Sequence, residues 1–432
     1  MKSLIKYSFT ILESILLIVI IIGSSRYLTV TKNFSEESSS FSNIVSAQET
    51  PTNIYKSFKI SDLKENSMIL TKQTDVSILQ KEEPVLPPEP VYDLPDSNNI
   101  KAIYMTSWVG STTQKRSEVI SVVEKSPILN SIIIDLKDET GVISIPVPED
   151  SPLYPYAQKN KFTRIKDIQN LVKTLHGKGI YVIGRIAVFQ DNLYTQKHPE
   201  SAIINSSTKK PWKDKKGVSW IDPGYTPTWD YVLEIAKLAD SYGFDEINFD
   251  YVRYPTDTNS SYALVYPSSK SKTKVQVIET FFKYISKGLK EKEITSSVDI
   301  FGLLTTQDDV GIGQNLSIAL DNFDYVCPMI YPSHYTSGAV GVKDPEKHPY
   351  ETIVKVMEGA YSRSQLSKHD FKKIRPWVQD FSLKETYGVK EIQDQLRGLS
   401  IHDTQGFMVW SPNNSYTKNA YTKYGKDLLP PQ

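Results

Sequence analysis

From residue 100 onward, short β-branched apolar runs alternate with longer stretches whose apolar positions recur every three or four residues. The short runs fall at 101–107, 131–138, 180–189, 246–254, 298–305, 324–331, 374–381 and 406–410. Between them, 229–242 carries Leu233, Ala236, Leu238 and Ala239, and 275–289 carries Val275, Ile278, Phe281, Phe282 and Ile285, both at helical spacing. Strands alternating with amphipathic helices imply βα units and a parallel sheet. Eight such units predict a closed (β/α)8 TIM barrel over 100–425, with 426–432 as a tail. The connections after the second, third, fourth and sixth strands, 139–162, 190–224, 255–271 and 333–349, are long. Loops that follow the strands of such a barrel build its cleft.

The first hundred residues read differently. Lys2 and Lys6 precede an apolar run over 15–23, the pattern of an export signal or N-terminal membrane anchor within 1–30. An uncleaved anchor is the favoured reading, because a cut after Val45-Ser46-Ala47 would leave an unusually long gap. Either form predicts a barrel outside the cytoplasm, on a single-pass anchor at the cell membrane or secreted. Residues 31–99 show no sustained period, with Ser and Glu clustered at 35–42 and Pro84, Pro87, Pro88, Pro90 and Pro95 near the end. Such composition cannot bury enough apolar area to offset its ordering entropy, so the segment is expected to be a disordered linker.

Parity along the strands separates core from chemistry, since neighbouring side chains point to opposite faces. In the fourth strand Ile247 and Phe249 should face the helices, leaving Glu246, Asn248 and Asp250 inside the barrel. Asp250 is the most C-terminal of these and should emerge at the cleft; Glu246, lower down, is expected to be structural. In the second strand Ile132, Ile134 and Leu136 should face outward and Ile133, Asp135 and Lys137 inward, and in the third Arg185 shares parity with Ile183 and Ala187. Asp135, Lys137, Arg185 and Asp250 thus converge on one mouth. Buried carboxylates are kept when paired or used.

After the fifth strand, Asp308 and Asp309 are candidates for a second carboxylate, although Asp309 could instead cap the helix that follows Gly311; Asp380 at the end of the seventh strand is a third option. Two carboxylates, one holding a proton and one ionised, are what glycoside hydrolysis needs. Aromatic residues recur at the same rim, among them Tyr104, Tyr331 and Trp410, with His334 nearby. Aromatic faces beside polar tips suit sugar rings.

Composition narrows the field. The 432 residues balance 50 Lys+Arg against 50 Asp+Glu for a net charge of +0, which disfavours a nucleic-acid partner. One cysteine, Cys327, excludes an internal disulfide framework and a multi-cysteine metal site, and it reads as a small core hydrophobe. The chain has no His-Glu-x-x-His, no Gly-x-Ser-x-Gly and no P-loop, so neither a metal nor a cofactor is expected.

Four ordered motifs carry a family resemblance: 132–138 (IIIDLKD), 243–255 (GFDEINFDYVRYP), 328–335 (PMIYPSHY) and 375–381 (RPWVQDF). Over roughly 100–425 the chain resembles a bacterial family of glycoside hydrolase-like domains, distantly similar to α-amylase-type barrels. The resemblance implies an exported or anchored (β/α)8 protein that acts on carbohydrate. Asp250 aligns with the aspartate nucleophile of amylase-type barrels, whose usual arginine two residues earlier is replaced here by Asn248, with Arg253 following instead. The expected function is hydrolysis of an extracellular or cell-wall polysaccharide, with Asp250 as nucleophile or transition-state stabiliser and Asp308 or Asp309 as proton donor. Tyr104, Asp135, Lys137, Arg185, Arg253, Tyr331, His334, Gln379, Asp380 and Trp410 are the expected substrate contacts. A carbohydrate-binding protein without turnover is the alternative, and a metal-dependent phosphodiesterase, which chelators would inhibit, is a third.

Overall fold

The computed structural model describes residues 91–256, 263–402, 404 and 406–425. Eight parallel strands close on themselves: β1 (Lys101–Met105), β2 (Ser131–Lys137), β3 (Tyr181–Ala187), β4 (Glu246–Asp250), β5 (Ser296–Phe301), β6 (Tyr325–Met329), β7 (Trp377–Gln379) and β8 (Phe407–Trp410). The barrel shuts where Lys101 pairs with Phe407 and Ala102 with Met408. All eight strands lie within or beside the segments that periodicity picks out. The N-terminal segment read as anchor or signal, most of the linker and the C-terminal tail fall outside the described residues. Among the described residues no helix is long and apolar enough to cross a membrane.

Helices α1 (Thr113–Lys125), α2 (Ile168–His176), α3 (Pro227–Ser241), α4 (Lys274–Lys290), α5 (Leu316–Asn322), α6 (Pro349–Leu366) and α7 (Val389–Leu399) follow the first seven strands. α3 begins with Pro227, whose missing N–H costs nothing at a helix start, and buries Trp229, Val232, Ile235, Ala236 and Ala239. α4 opens with a reciprocal cap between Thr273 and Gln276. After β8 the described chain forms no further helix. It returns as a loop in which Tyr416 and Tyr421 are buried, so the expected alternation stops one element short.

Two apolar layers result. Outward residues such as Ile132, Ile134, Ile247 and Phe249 join the large core beneath the helices. Inward residues form a second, smaller cluster from Ala102, Tyr104, Ile133, Ile183, Cys327, Trp377 and Met408. β4 and β5 break that apolar lining by turning Glu246, Asn248, Asp250, Ser297 and Asp299 inward, all buried.

The lower mouth is closed. Arg375 donates from Nη1 to both oxygens of Glu246 at 2.9 Å and from Nη2 to the carbonyl of Ser97 at 2.7 Å. Its guanidinium lies 3.8 Å from the Tyr325 ring centre, and Ser97 Oγ bonds the Tyr325 hydroxyl at 2.8 Å. Residues 97–99, which composition assigns to the linker, form a short 3-10 turn that belongs to this plug.

Candidate active site

At the opposite, C-terminal mouth lies a cavity of about 450 Å³, which Arg185, Asp250, Tyr251, Arg253, Tyr331 and Trp410 help to line. Asp250 is the last residue of β4, as parity requires. Its Oδ2 accepts from Arg185 Nη2 at 2.5 Å and its Oδ1 from the backbone N–H of Tyr251 at 2.5 Å. Tyr251 is left-handed, with φ 55°, a conformation a bulky residue rarely adopts. The turn ends the strand at the carboxylate and carries Arg253 into the cavity wall, where its guanidinium lies 4.9 Å from Trp220, 5.3 Å from Tyr251 and 4.8 Å from Phe301. Phe301 leads into Gly302, where a side chain would collide with the Met329 carbonyl and the Tyr335 hydroxyl, so glycine keeps this wall open.

Arg185 spans two carboxylates. While Nη2 holds Asp250, Nη1 donates to Asp135 Oδ1 at 2.7 Å. The Tyr104 hydroxyl donates to the other oxygen of Asp135. Tyr104 stacks on Trp410 with ring centres 4.1 Å apart, and Arg185 lies 5.1 Å from the Trp410 ring. Burial drives the Asp135 carboxyl up to about 6, and the Arg185 charge and the Tyr104 hydrogen bond oppose that rise.

Asp299 is the buried carboxylate that sequence reasoning passed over. It lies one residue past the Phe249–Val298 pair of the β4–β5 register, level with Asp250, and its Oδ1 accepts from Trp377 Nε1 at 2.7 Å and Asn248 Nδ2 at 2.9 Å. Burial, followed by the charge of Asp250, holds its carboxyl well above the usual range. The signal was present: Val298 and Ile300 are apolar, so Asp299 had to point inward.

Other expected contacts sit elsewhere. Lys137 is buried away from the cavity, because the β2–β3 register slips between Asp135 and Lys137. Its ammonium bonds the Ala187 and Gln190 carbonyls and pairs with Asp191 at 3.1 Å, fastening the loop after β3. Asp308 and Asp309 do not line the cavity. β5 ends at Phe301, and the 3-10 turn Gly302–Thr305 carries the chain toward α6. There Asp308 pairs with Arg363 on the surface, and Asp309 Oδ1 accepts backbone N–H groups from Gly311, Ile312 and Gly313 at 2.9–3.1 Å. Gln379 is buried and ties Ser333 N–H to the Phe381 carbonyl. Asp380 is spent on Thr417 and the Tyr421 hydroxyl, which it holds at 2.6–2.7 Å. Tyr331 and His334 do line the cavity; His334 is exposed, with Nδ1 3.0 Å from Ser333 Oγ. Among the described residues, no group of three or more His, Cys, Asp or Glu is placed to hold a metal ion.

A family described as "Putative glycosyl hydrolase domain" matches residues 102–416, from β1 to just beyond β8. The chain belongs to that family. The matched span of this glycosyl hydrolase domain contains every residue of the site. No curated protein matches the chain. Among solved structures, a hypothetical protein from Ruminiclostridium thermocellum ATCC 27405 is 28% identical, covering 46% of this chain and 96% of its own, with a TM-score of 0.39. The spore cortex-lytic enzyme SleL of Bacillus megaterium QM B1551 is 12% identical over 79% of this chain and 77% of its own, with a TM-score of 0.42. The catalytic domain of β-amylase from Paenibacillus polymyxa is 10% identical over 77% and 97%, with a TM-score of 0.45.

Proposed function

We propose that the chain hydrolyses O-glycosidic bonds of an extracellular or cell-wall polysaccharide, with Asp250 as nucleophile or charge stabiliser and Asp135 as the group that holds the proton. The observation that carries this reading is Asp250 itself. Among the described residues it is the one carboxylate lining the cavity, and it sits at the C-terminal end of a barrel strand, where TIM-barrel enzymes place their chemistry. The Arg185 guanidinium offsets its charge and aims one oxygen, which leaves a negative group facing a sugar carbon that becomes positive in the transition state. Asp135 shares that guanidinium, and burial drives its carboxyl up to about 6, so it can hold a proton in mildly acidic solution. Trp410 and Tyr331 offer aromatic faces for sugar rings in the same cavity.

Export through the N-terminal basic and apolar segment is part of the proposal, and membrane fractionation of cells expressing the full chain tests it. For the chemistry, the full chain and its Asp250→Asn variant are compared for release of reducing ends from bacterial cell-wall and capsular polysaccharides. Release by the wild type alone is expected; equal release by both removes Asp250 from the mechanism. The second reading, glycan binding without turnover, is favoured by one observation: Asp135 lies behind Arg185 and does not itself line the cavity. It predicts retention of glycan with no reducing ends released.

A further inference from the structure

Five of the six tryptophans are buried or half-buried; the sixth, Trp108, has 65% of its surface in solvent. A single exposed apolar residue is ordinary on a protein surface and means nothing by itself. Trp108 differs in how it is held. Arg164 lies on one face of its indole, with the guanidinium carbon 4.2 Å from the ring centre. Nη1 of Arg164 in turn donates to Ser107 Oγ at 2.8 Å, to Ser144 Oγ at 3.2 Å and to the Asp138 carboxylate, with which it forms an ion pair. The Ser111 and Thr112 hydroxyls donate to the Trp108 carbonyl at 2.8 and 3.1 Å, which fixes the backbone beneath the ring. The indole is thus a rigid plate with one face taken and the other open.

The plate stands at the same mouth of the barrel as the cavity. Trp108 follows β1, in the short helical turn Ser107–Gly110 that Thr106 caps. Thr106 gives its N–H and its hydroxyl to Asn414 Oδ1, both at 2.9 Å, and Asn414 Nδ2 donates to the Tyr104 carbonyl at 3.1 Å. These bonds stitch the loop after β1 to the loop after β8, whose Trp410 and Pro412 line the cavity. Trp108 itself does not line it, so it is a second aromatic surface beside the first. A flat indole with one free face matches the C–H face of a pyranose ring, and a ring already fixed gives up little further entropy on binding. A protein partner would call for a broad apolar patch around the indole, whereas Ser111 and Thr112 beside it are exposed and hydroxylated.

We propose that Trp108 is an outer sugar-binding platform, which stacks one ring of the same glycan chain whose scissile bond lies at Asp250. The inference rests on the reading of the cavity as a glycan site and names the class of substrate it takes: a chain long enough to run from the cavity to Trp108, in place of a mono- or disaccharide. Arg164 is the positioning residue of this platform, because it holds the indole without touching the sugar.

The test measures binding and cleavage separately, with the full chain. The probes are the bacterial cell-wall and capsular polysaccharides of the activity assay, each cut by partial acid hydrolysis and sized into octasaccharides and disaccharides. At least one octasaccharide is expected to bind more tightly than its disaccharide. Trp108→Ala should weaken that octasaccharide about tenfold and leave the disaccharide unchanged, and Trp108→Phe, which keeps a smaller ring, should fall between. Both variants sit at an exposed position and should melt as the wild type does. Octasaccharide binding that Trp108→Ala leaves intact, an equal loss for both lengths, or no binding of any octasaccharide by the wild type would overturn the proposal. A length-dependent loss in Trp108→Ala without cleavage by the wild type would leave it standing and sink the hydrolase reading. Cleavage by the wild type with a length dependence that Trp108→Ala retains would do the reverse.

Discussion

Arg375 at the bottom of the barrel and Arg185 at the top are both buried, and both hold carboxylates supplied by β4. Their surroundings differ in what is left over. Arg375 faces one glutamate whose two oxygens it saturates, plus a backbone carbonyl, and packs on Tyr325. Arg185 divides its guanidinium between two aspartates, its Nε has no hydrogen-bond partner among the described residues, and one of its aspartates opens onto a cavity. Burial of an ion pair is therefore no mark of chemistry by itself; incomplete satisfaction beside open space is. A closed pair locks strand ends together, whereas an open one keeps a charged oxygen available to a ligand at the cost of less than full pairing.

The contrast breaks most sharply at Asp250. Asp250→Asn keeps the shape and the Tyr251 contact but removes the charge. Hydrolysis of an identified glycan should fall about 10⁴-fold, some 5.5 kcal/mol of barrier, with little change in the urea midpoint. Glu246→Ala should do the opposite. It strands Arg375 in a dry site and should lower the unfolding free energy by about 3–5 kcal/mol, read from urea denaturation, while the activity per folded molecule is kept. If Glu246→Ala abolished activity in fully folded protein, the division between a structural and a chemical end would be wrong.

Asp135→Asn sharpens the comparison within the upper site. As the group holding the proton, Asp135 should matter for poor leaving groups, with a loss of about 10²-fold on a natural linkage and far less on a nitrophenyl glycoside. The pH dependence has a definite sign. The ordinary Asp carboxyl loses its proton near 3.8 and Asp135 in the fold near 6, so between those values the native state binds the extra proton. The contribution of Asp135 to stability is thus present below about 4 and lost as pH rises through about 6. Activity dependent on its proton should likewise decline above about 6. The variant should flatten both slopes, and a wild-type activity profile that is level from pH 5 to 8 would exclude Asp135 as the donor.

Much of this arrangement is legible in the chain itself because a barrel strand imposes a period of two. Asp135, Arg185 and Asp250 could be brought to one mouth from parity alone, since along their strands they alternate with apolar residues, Ile134 and Leu136, Ile186, and Ile247 and Phe249, that must face the helices. Lys137 escaped because a single slip in the β2–β3 register disrupts the alternation, and nothing in Leu136-Lys137 announces it. Asp299 escaped for another reason. Its strand was placed too late, at 298–305, so the acids just past that end drew the second-carboxylate assignment. The inward polar faces of β4 and β5 are adjacent in the closed barrel, a fact of strand order. Gln379 and Asp380 show the remaining limit: their partners lie in the loop after β6 and in the return after β8, at distances along the chain that local pattern does not connect.

The smallest expected effect concerns the acids first expected to complete the pair. Asp308 has 86% of its side chain in solvent and pairs with Arg363, while Asp309 closes a turn by accepting three consecutive N–H groups. Asp308→Asn should leave activity within about twofold and shift the melting temperature by no more than about a degree, because exposed ion pairs contribute little. Asp309→Asn retains an oxygen that can accept the same N–H groups, whereas Asp309→Ala loses the turn and should lower stability more than Asp308→Asn does. Hydrolysis should survive in all three. Were Asp308→Asn to lose activity as Asp250→Asn does, the loop after β5 would have to swing to the cavity when glycan binds, and the upper site would be completed only in the complex.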